Sequence, residues 1–419
     1  MNFTGISNFI KRPTSTVLRY TEFRHYIITR FFFILVLSMQ ATLIGWKVFE
    51  ITKDPFSIGL IGLFEFLPAF IMAFYAGYII DKTDKRKLLV LSIAGNLLLT
   101  LSFAYITSNW ASSQLSKAML LIIIYSIAFL TGIARSFSGP TSFAMLGSLV
   151  PKEEISNAVT WHSGTWQIAS LAGPALAGVL YGIVGITITF YIMLTMMLIA
   201  LISSFLIKPI PPFKQKENET MTNSIREGIK FVWQSKEILG VLSLDLFAVF
   251  FGGATAMLPY FSDIILKSGP LGLGLLRSCP ALGAFVTMVF LKSLPINNNQ
   301  GKIMLWCVAG FGCAMIVFGI STTFWISALA LFISGLLDGI SMIVRSTVLH
   351  LKTPENMKGR VSSLNSIFIM SSNELGAFES GFMSKILGVI PSVIFGGCMT
   401  IGIVVFTWIK NPSIKKIQY

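Results

Sequence analysis

AGYIIDKTDKRKLL, residues 76–89, places Asp81, Lys82, Asp84, Lys85, Arg86 and Lys87 within seven positions of a chain that is only 12% charged. Apolar runs long enough to cross a bilayer lie on both sides of it. A helix needs about 20 apolar residues to span the hydrocarbon core, and such runs recur along the 419 residues. The mean hydropathy is +0.76 and 54% of residues are hydrophobic. A soluble chain carries about a quarter charged residues, so the composition points to an all-α membrane protein. The charged stretch is then a loop between two spans.

Twelve transmembrane helices are expected, near 27–49, 57–80, 87–108, 118–137, 158–183 and 186–207, then 238–262, 272–293, 302–319, 323–346, 361–384 and 389–409. Between them the chain divides into a cytoplasmic tail (1–26), a first six-helix bundle (27–207), a linker (208–237), a second bundle (238–409) and a cytoplasmic tail (410–419). Assigning both tails and the even-numbered connections to the cytoplasm puts 26 of the 32 Lys and Arg residues there, leaving Lys47, Lys53, Lys117, Lys267, Arg277 and Lys385. Basic residues resist translocation, so both termini are expected inside. The same tally explains the net charge of +14 without nucleic acid, since the cations form short clusters and no binding face. The N-terminal apolar run is too long, and lacks the small-residue site, for a removable signal. In the linker, Ile225, Ile229, Val232 and Trp233 recur at helical spacing beside Arg226, Glu227 and Lys230. That pattern suits an amphipathic helix at the inner leaflet, or a plain connecting helix.

Cys279, Cys307, Cys313 and Cys398 lie in apolar runs and read as small hydrophobes. His25, His162 and His350 are scattered. Neither a metal site nor a nucleophile–base constellation is indicated, so no enzyme and no cofactor is expected.

The two halves echo each other at an offset of 203 residues: Gly132 with Gly335, Pro151 with Pro354, Ser163 with Ser366, Gly173 with Gly376 and Gly178 with Gly381. DPFSIGL (54–60) pairs more loosely with GPLGLGL (269–275). Duplicated bundles with a site between them are how several secondary transporters are built.

Several stretches carry a family likeness. GYIIDKTDKRK (77–87) resembles the signature loop between the second and third helices of the major facilitator superfamily, with Gly77, Asp81, Lys82, Arg86 and Lys87 on its positions and Asp84 replacing the usual glycine. AGPALAG (172–178) resembles the antiporter signature through Gly173, Pro174 and Gly178. GWKVFEITKDPFSIGLIG (45–62), LGLLRSCPALGA (273–284) and GRVSSLNSIFIMSSNELGAFESG (359–381) look like the exporter branch that includes enterobactin-type siderophore exporters and macrolide efflux pumps. The resemblance spans the chain. It implies two pseudo-symmetric six-helix bundles, alternating access, and efflux of a small organic molecule from the inner membrane. A lysophospholipid carrier of the same fold is the alternative.

The resemblance also implies that the charged loop latches the cytoplasmic side in the outward-facing state, with Asp81 near the N-terminus of the eleventh span and oriented by Arg86. The repeat pairs Arg135 with Asp338, and these could meet across the cytoplasmic interface or find partners within their own halves. Glu65, Asp245, Glu374 and Glu379 lie inside predicted spans, where a charged acid is costly. Each pairs, reaches water or carries a proton; Arg277 is a partner for Asp245 or for an anionic substrate. Gln40, Asn96, Trp161, Trp166, Asn365 and Asn373 are the polar and aromatic candidates for a cavity wall. No motif for ATP hydrolysis occurs, so a proton gradient is the expected energy source, and the bilayer and the cargo are the expected partners of a monomer.

Overall fold

The computed structural model describes residues 14–210, 221–290, 299–354, 357–410 and 412–415. Among these there are helices and no strands. The long helices are α1 (Thr21–Thr52), α2 (Pro55–Lys82), α3 (Lys85–Ile106), α4 (Lys117–Leu149), α5 (Ile155–Phe205), α6 (Met221–Gln234), α7 (Lys236–Gly252), α8 (Gly269–Phe290), α9 (Gln300–Ile320), α10 (Phe324–Lys352), α11 (Lys358–Leu387) and α12 (Val389–Lys410). Ten segments are long and apolar enough to cross a membrane. The chain is a multi-pass membrane protein.

Two of the expected spans behave differently from the sequence reading. The spans at 158–183 and 186–207 run together as α5, broken only where Gly185 takes φ 80°, ψ 167°, a conformation open to glycine. The span at 238–262 is not one helix. α7 stops at Gly253, and the chain continues through a 3₁₀ turn (Ala254–Met257), a short α-turn (Leu258–Tyr260) and a π-turn (Phe261–Ile265). Pro259 has no N–H to donate there, which favours such a departure.

The repeat in the sequence is a repeat in the packing. α4 lies on α2 and α10 on α8; α1 lies along α5 and α7 against α11. Gly132 faces the Glu65 carbonyl and Pro68, while its counterpart Gly335 faces the Pro280 carbonyl. Across the halves, a Cβ on Gly178 would stand 2.7 Å from Pro270 O, and one on Gly381 would stand 3.3 Å from Pro55 O. Gly178 meets Gly274, and Gly381 meets Gly59. Close backbone approach needs small residues, and the same two seams, α5 on α8 and α11 on α2, appear as twofold counterparts.

The described parts of the predicted N-terminal tail and linker pack against the bundles. Phe23, Tyr26 and Val17 are fully buried, and Ile210 O accepts from Lys85 N at 3.2 Å. α6 docks through Val232 against Ile238, Leu242 and Val361, and Glu227 pairs with Arg360 of α11. Ile229 and Trp233 stay exposed.

Candidate functional site: a charged node between the halves

Both seams lie toward the end of the bundle that holds Asp54, Pro270 and Gly388. That end is further tied by Lys53 Nζ to Asp263 Oδ2 at 2.8 Å, by Lys385 over the Phe56 ring at 4.9 Å, and by Phe56 against Phe378 and Phe382. The two halves are therefore joined at one end.

At the inner limit of this joined region sits Arg135 of α4. Its Nη1 donates to Glu65 Oε2 of α2 at 2.7 Å and to Glu374 Oε1 of α11 at 2.9 Å. One guanidinium thus ties a carboxylate of its own half to a carboxylate of the other. Arg277 of α8 reaches the other way. Its Nη1 lies 3.4 Å from Ala41 O on α1, and its charge is within electrostatic reach of Glu374 and Glu65. Arg135 keeps 42% of its side-chain exposure while Glu65 keeps 12% and Glu374 18%. The arginine borders a solvent-accessible space, and the acids lie behind it. Two acids and two arginines, one of each from either half, sum to zero charge. That arrangement meets the requirement that ionised groups at membrane depth be paired or reach water. A further link, Gln167 Nε2 to Ala281 O at 3.0 Å, joins α5 to α8.

The sequence reading named all four charged residues and left Arg135 either Asp338 or a partner in its own half; Glu65 is that own-half partner. Arg135 does not meet Asp338; it is taken by Glu65 and Glu374, because α4 packs on α2 and α2 on α11. Asp338 lies in α10 beside a small cavity that also contains Asp245. Arg277 does not pair with Asp245 either. Asp245 contacts Arg345 of α10, and both are buried. Arg345 escaped notice because it falls at the end of a predicted span, where a cation reads as a topology signal.

Several expected wall residues are turned inward within one half. Gln40 is buried, and its Oε1 accepts from Thr100 Oγ1 at 3.0 Å. Asn96, also buried, donates Nδ2 to Ser92 O at 2.8 Å. Gln40 therefore links α1 to α3 inside the first half, while Asn96 bonds within α3 itself. Glu379 is buried with no hydrogen-bond partner for Oε1, and Asn365 is half-buried with Oδ1 likewise unpartnered, among the described residues. Trp161 packs against the core, whereas Trp166 and Asn373 are exposed.

The signature loop is partly resolved into roles. The Asp81 side chain lies outside the described residues, and Lys82 is exposed. Asp84, standing where the family has glycine, is the N-cap of α3: its Oδ1 accepts from Arg86 N at 2.8 Å and Lys87 N at 3.2 Å. Asp is a preferred N-cap, and its φ of −58° needs no glycine. Arg86 donates to Phe205 O at 2.5 Å, within the first half. Gly173 packs on Leu35 and Ser38 of α1, and the Pro174 carbonyl faces Gly274. The antiporter-type motif thus forms the α5–α8 seam.

A second polar cluster had no signal beyond Arg30 lying inside an apolar run. The Tyr26 hydroxyl donates to Ser142 O at 2.9 Å and stands 2.6 Å from His162 Nδ1, while Arg30 Nη1 donates to Ser142 Oγ at 3.0 Å. It ties α1, α4 and α5 together inside the first half.

The sequence profile of the family described as transmembrane secretion effector matches residues 14–418. The chain belongs to that family, within the major facilitator superfamily. Among its relatives are the enterobactin exporter EntS of Citrobacter koseri, 22% identical over 91% of this chain and 90% of that one, and EntS of Shigella dysenteriae at 21% with the same coverage. The fold is similar to that of the nucleoside transporter NupG (TM-score 0.70, 14% identity, 95% of this chain and 100% of that one). It is also similar to a POT family transporter crystallised with 5-aminolevulinic acid (TM-score 0.71, 14% identity, 94% and 96%). Nothing in these likenesses supports a lysophospholipid carrier.

Proposed function

We propose that this chain is an inner-membrane exporter of a small organic molecule of the siderophore or drug-like class. It works by proton antiport and alternating access between two six-helix bundles, 27–207 and 238–409. The observation that carries this reading is the Arg135 bridge to Glu65 and Glu374: an ionic contact between halves, beside accessible space, at the limit of a seam built from paired glycines. The exporter relatives support the direction of transport, and the excess of cations at the open end supports its being cytoplasmic. On that orientation the halves are sealed outside and parted inside, so cargo enters from the cytoplasm. The twelve spans follow if α5 counts twice at Gly185 and α11, more polar than the other spanning helices, is included.

Glu65 and Glu374 compete for Arg135, and a proton on either would release that arginine to the other. Only a proton on Glu374 would remove the cross-half bond, so proton binding at Glu374 would favour the parted state. Deleting the gene and comparing spent medium under iron starvation and repletion tests the cargo. Loss of an iron-chelating metabolite is expected; unchanged secretion with raised antibiotic sensitivity would replace the siderophore with a drug-like cargo, and no change in either would overturn export. Proteoliposomes with an imposed pH gradient test the coupling, which is wrong if collapsing the gradient leaves efflux unchanged.

A further inference from the structure

The second half contains a cavity that the node between the halves does not use. It is a small space, no larger than a single water-sized particle needs, lined by Asp245, Ala248 and Val249 of α7, Cys307, Val308 and Phe311 of α9, and Leu337, Asp338 and Ser341 of α10. Three features are unusual for a membrane interior. Two carboxylates, Asp245 and Asp338, line one small space. A single cation, Arg345, contacts Asp245, while the Asp338 carboxylate forms no hydrogen bond or salt bridge among the described residues. Ser341, only 2% exposed, leaves its Oγ without a partner among the described residues, although a buried hydroxyl ordinarily finds one.

The charges facing the cavity come from α7 (Asp245) and α10 (Asp338, Arg345), since α9 contributes only Cys307 and apolar side chains. With both acids ionised the site carries one negative charge in excess. Asp338 and Ser341 are three positions apart on α10, and therefore on one face of that helix; Asp245 comes from the opposite wall.

We infer that this cavity is a binding site for one monovalent metal cation of the sodium class, held by the oxygens of Asp338, Ser341 and Asp245. A hard cation takes oxygen ligands. One positive charge balances the site, and the ion gives the Ser341 oxygen the partner it lacks. Arg345 holds Asp245 in place and keeps a second cation out. The site is separate from the Arg135 node and does not depend on the export reading.

The test uses the whole protein, purified in detergent, with radioactive sodium as the probe. Binding is measured by scintillation proximity, and thermal unfolding is compared in sodium chloride and in choline chloride at equal ionic strength. Sodium is expected to bind saturably and to raise the melting temperature of the wild type. Ser341→Ala should weaken binding by about tenfold, the lower end of what loss of a metal-site partner costs, and Asp338→Asn should abolish it. Wild-type protein without a sodium-specific shift or saturable binding would overturn the proposal, as would Asp338→Asn that binds sodium like the wild type. Stabilisation that follows acidity equally in sodium and choline would make the ligand a proton, and also overturns it. If Asp338→Asn fails to fold, the Ser341→Ala affinity decides.

Discussion

Replacing Arg135 with Gln removes the guanidinium that holds the halves together while leaving a polar side chain. Two carboxylates lose their partner, 2.7 and 2.9 Å away. Exposed pairs contribute about 0.2–1 kcal/mol, whereas breaking a buried pair costs about 3–5 kcal/mol. With the arginine 42% exposed and Glu374 at 18%, screening discounts the buried figure heavily, and roughly 1–2 kcal/mol is left for the cross-half link. That corresponds to a shift of about 5- to 30-fold in the ratio of joined to parted conformers. Spin labels at Lys117→Cys and Lys267→Cys, exposed on the two halves at the joined end, would read the ratio by double electron–electron resonance. The background would lack Cys279, Cys307, Cys313 and Cys398. Arg135→Gln should move population to longer distances, and Glu374→Gln should do so to a similar or smaller extent. Glu65→Gln, which leaves the cross-half bond in place, should shift it least. An unchanged distance distribution in both Arg135→Gln and Glu374→Gln would refute the idea that this bridge holds the seam.

Gly178→Val should shift the same ratio and reduce transport, because even its Cβ would stand 2.7 Å from the Pro270 carbonyl; normal transport with an unshifted ratio would count against a seam that must close. Asp84→Ala should cost about 1 kcal/mol of stability and Asp84→Gly only a few tenths, so thermal unfolding of the two variants should rank in that order. Arg345→Met should lower stability by about 3–5 kcal/mol, since it strands a buried Asp245 carboxylate. The double change with Asp245→Leu should recover much of that loss, and a double variant no more stable than the single would show that the pair does not act as a unit.

The helical architecture was legible because burial in lipid forces long apolar runs, and the twofold relation because close helix contacts require glycine on both copies. Gly132 and Gly335, like Gly178 and Gly381, stand at one constant offset in the sequence. What the sequence concealed was pairing. The repeat aligned Arg135 with Asp338, yet twofold-related positions face equivalent neighbours in their own halves, not one another. Glu65 follows Gly62 on the α2 face that meets α11, and only the packed seam brings Glu374 to the same arginine. Arg345 and Arg30 were masked for another reason: near a helix end a cation serves topology as readily as it serves a buried partner. Gln40 and Asn96 failed as wall residues because polarity within a span does not say whether it faces a path or a neighbouring helix.

The distribution of charge in the node bears on how the halves can part. Opening the seam breaks Arg135 from Glu374 and Arg277 from Ala41 O, but it leaves Arg135 on Glu65 in the first half. Arg277, whose charge is within electrostatic reach of Glu374, lies with it in the second. Each half therefore separates with one acid and one arginine, and neither carries a bare charge into the space that opens. A node with both acids on one side would have to strand a net charge, at a cost of several kcal/mol per ion. The observed split lets a contact strong enough to bias the joined state remain weak enough to break, with the backbone contacts at Gly178–Gly274 and Gly59–Gly381 supplying the rest of the grip. If the halves part as proposed, the same split makes Glu374 the acid that would lose Arg135, while Glu65 would keep it.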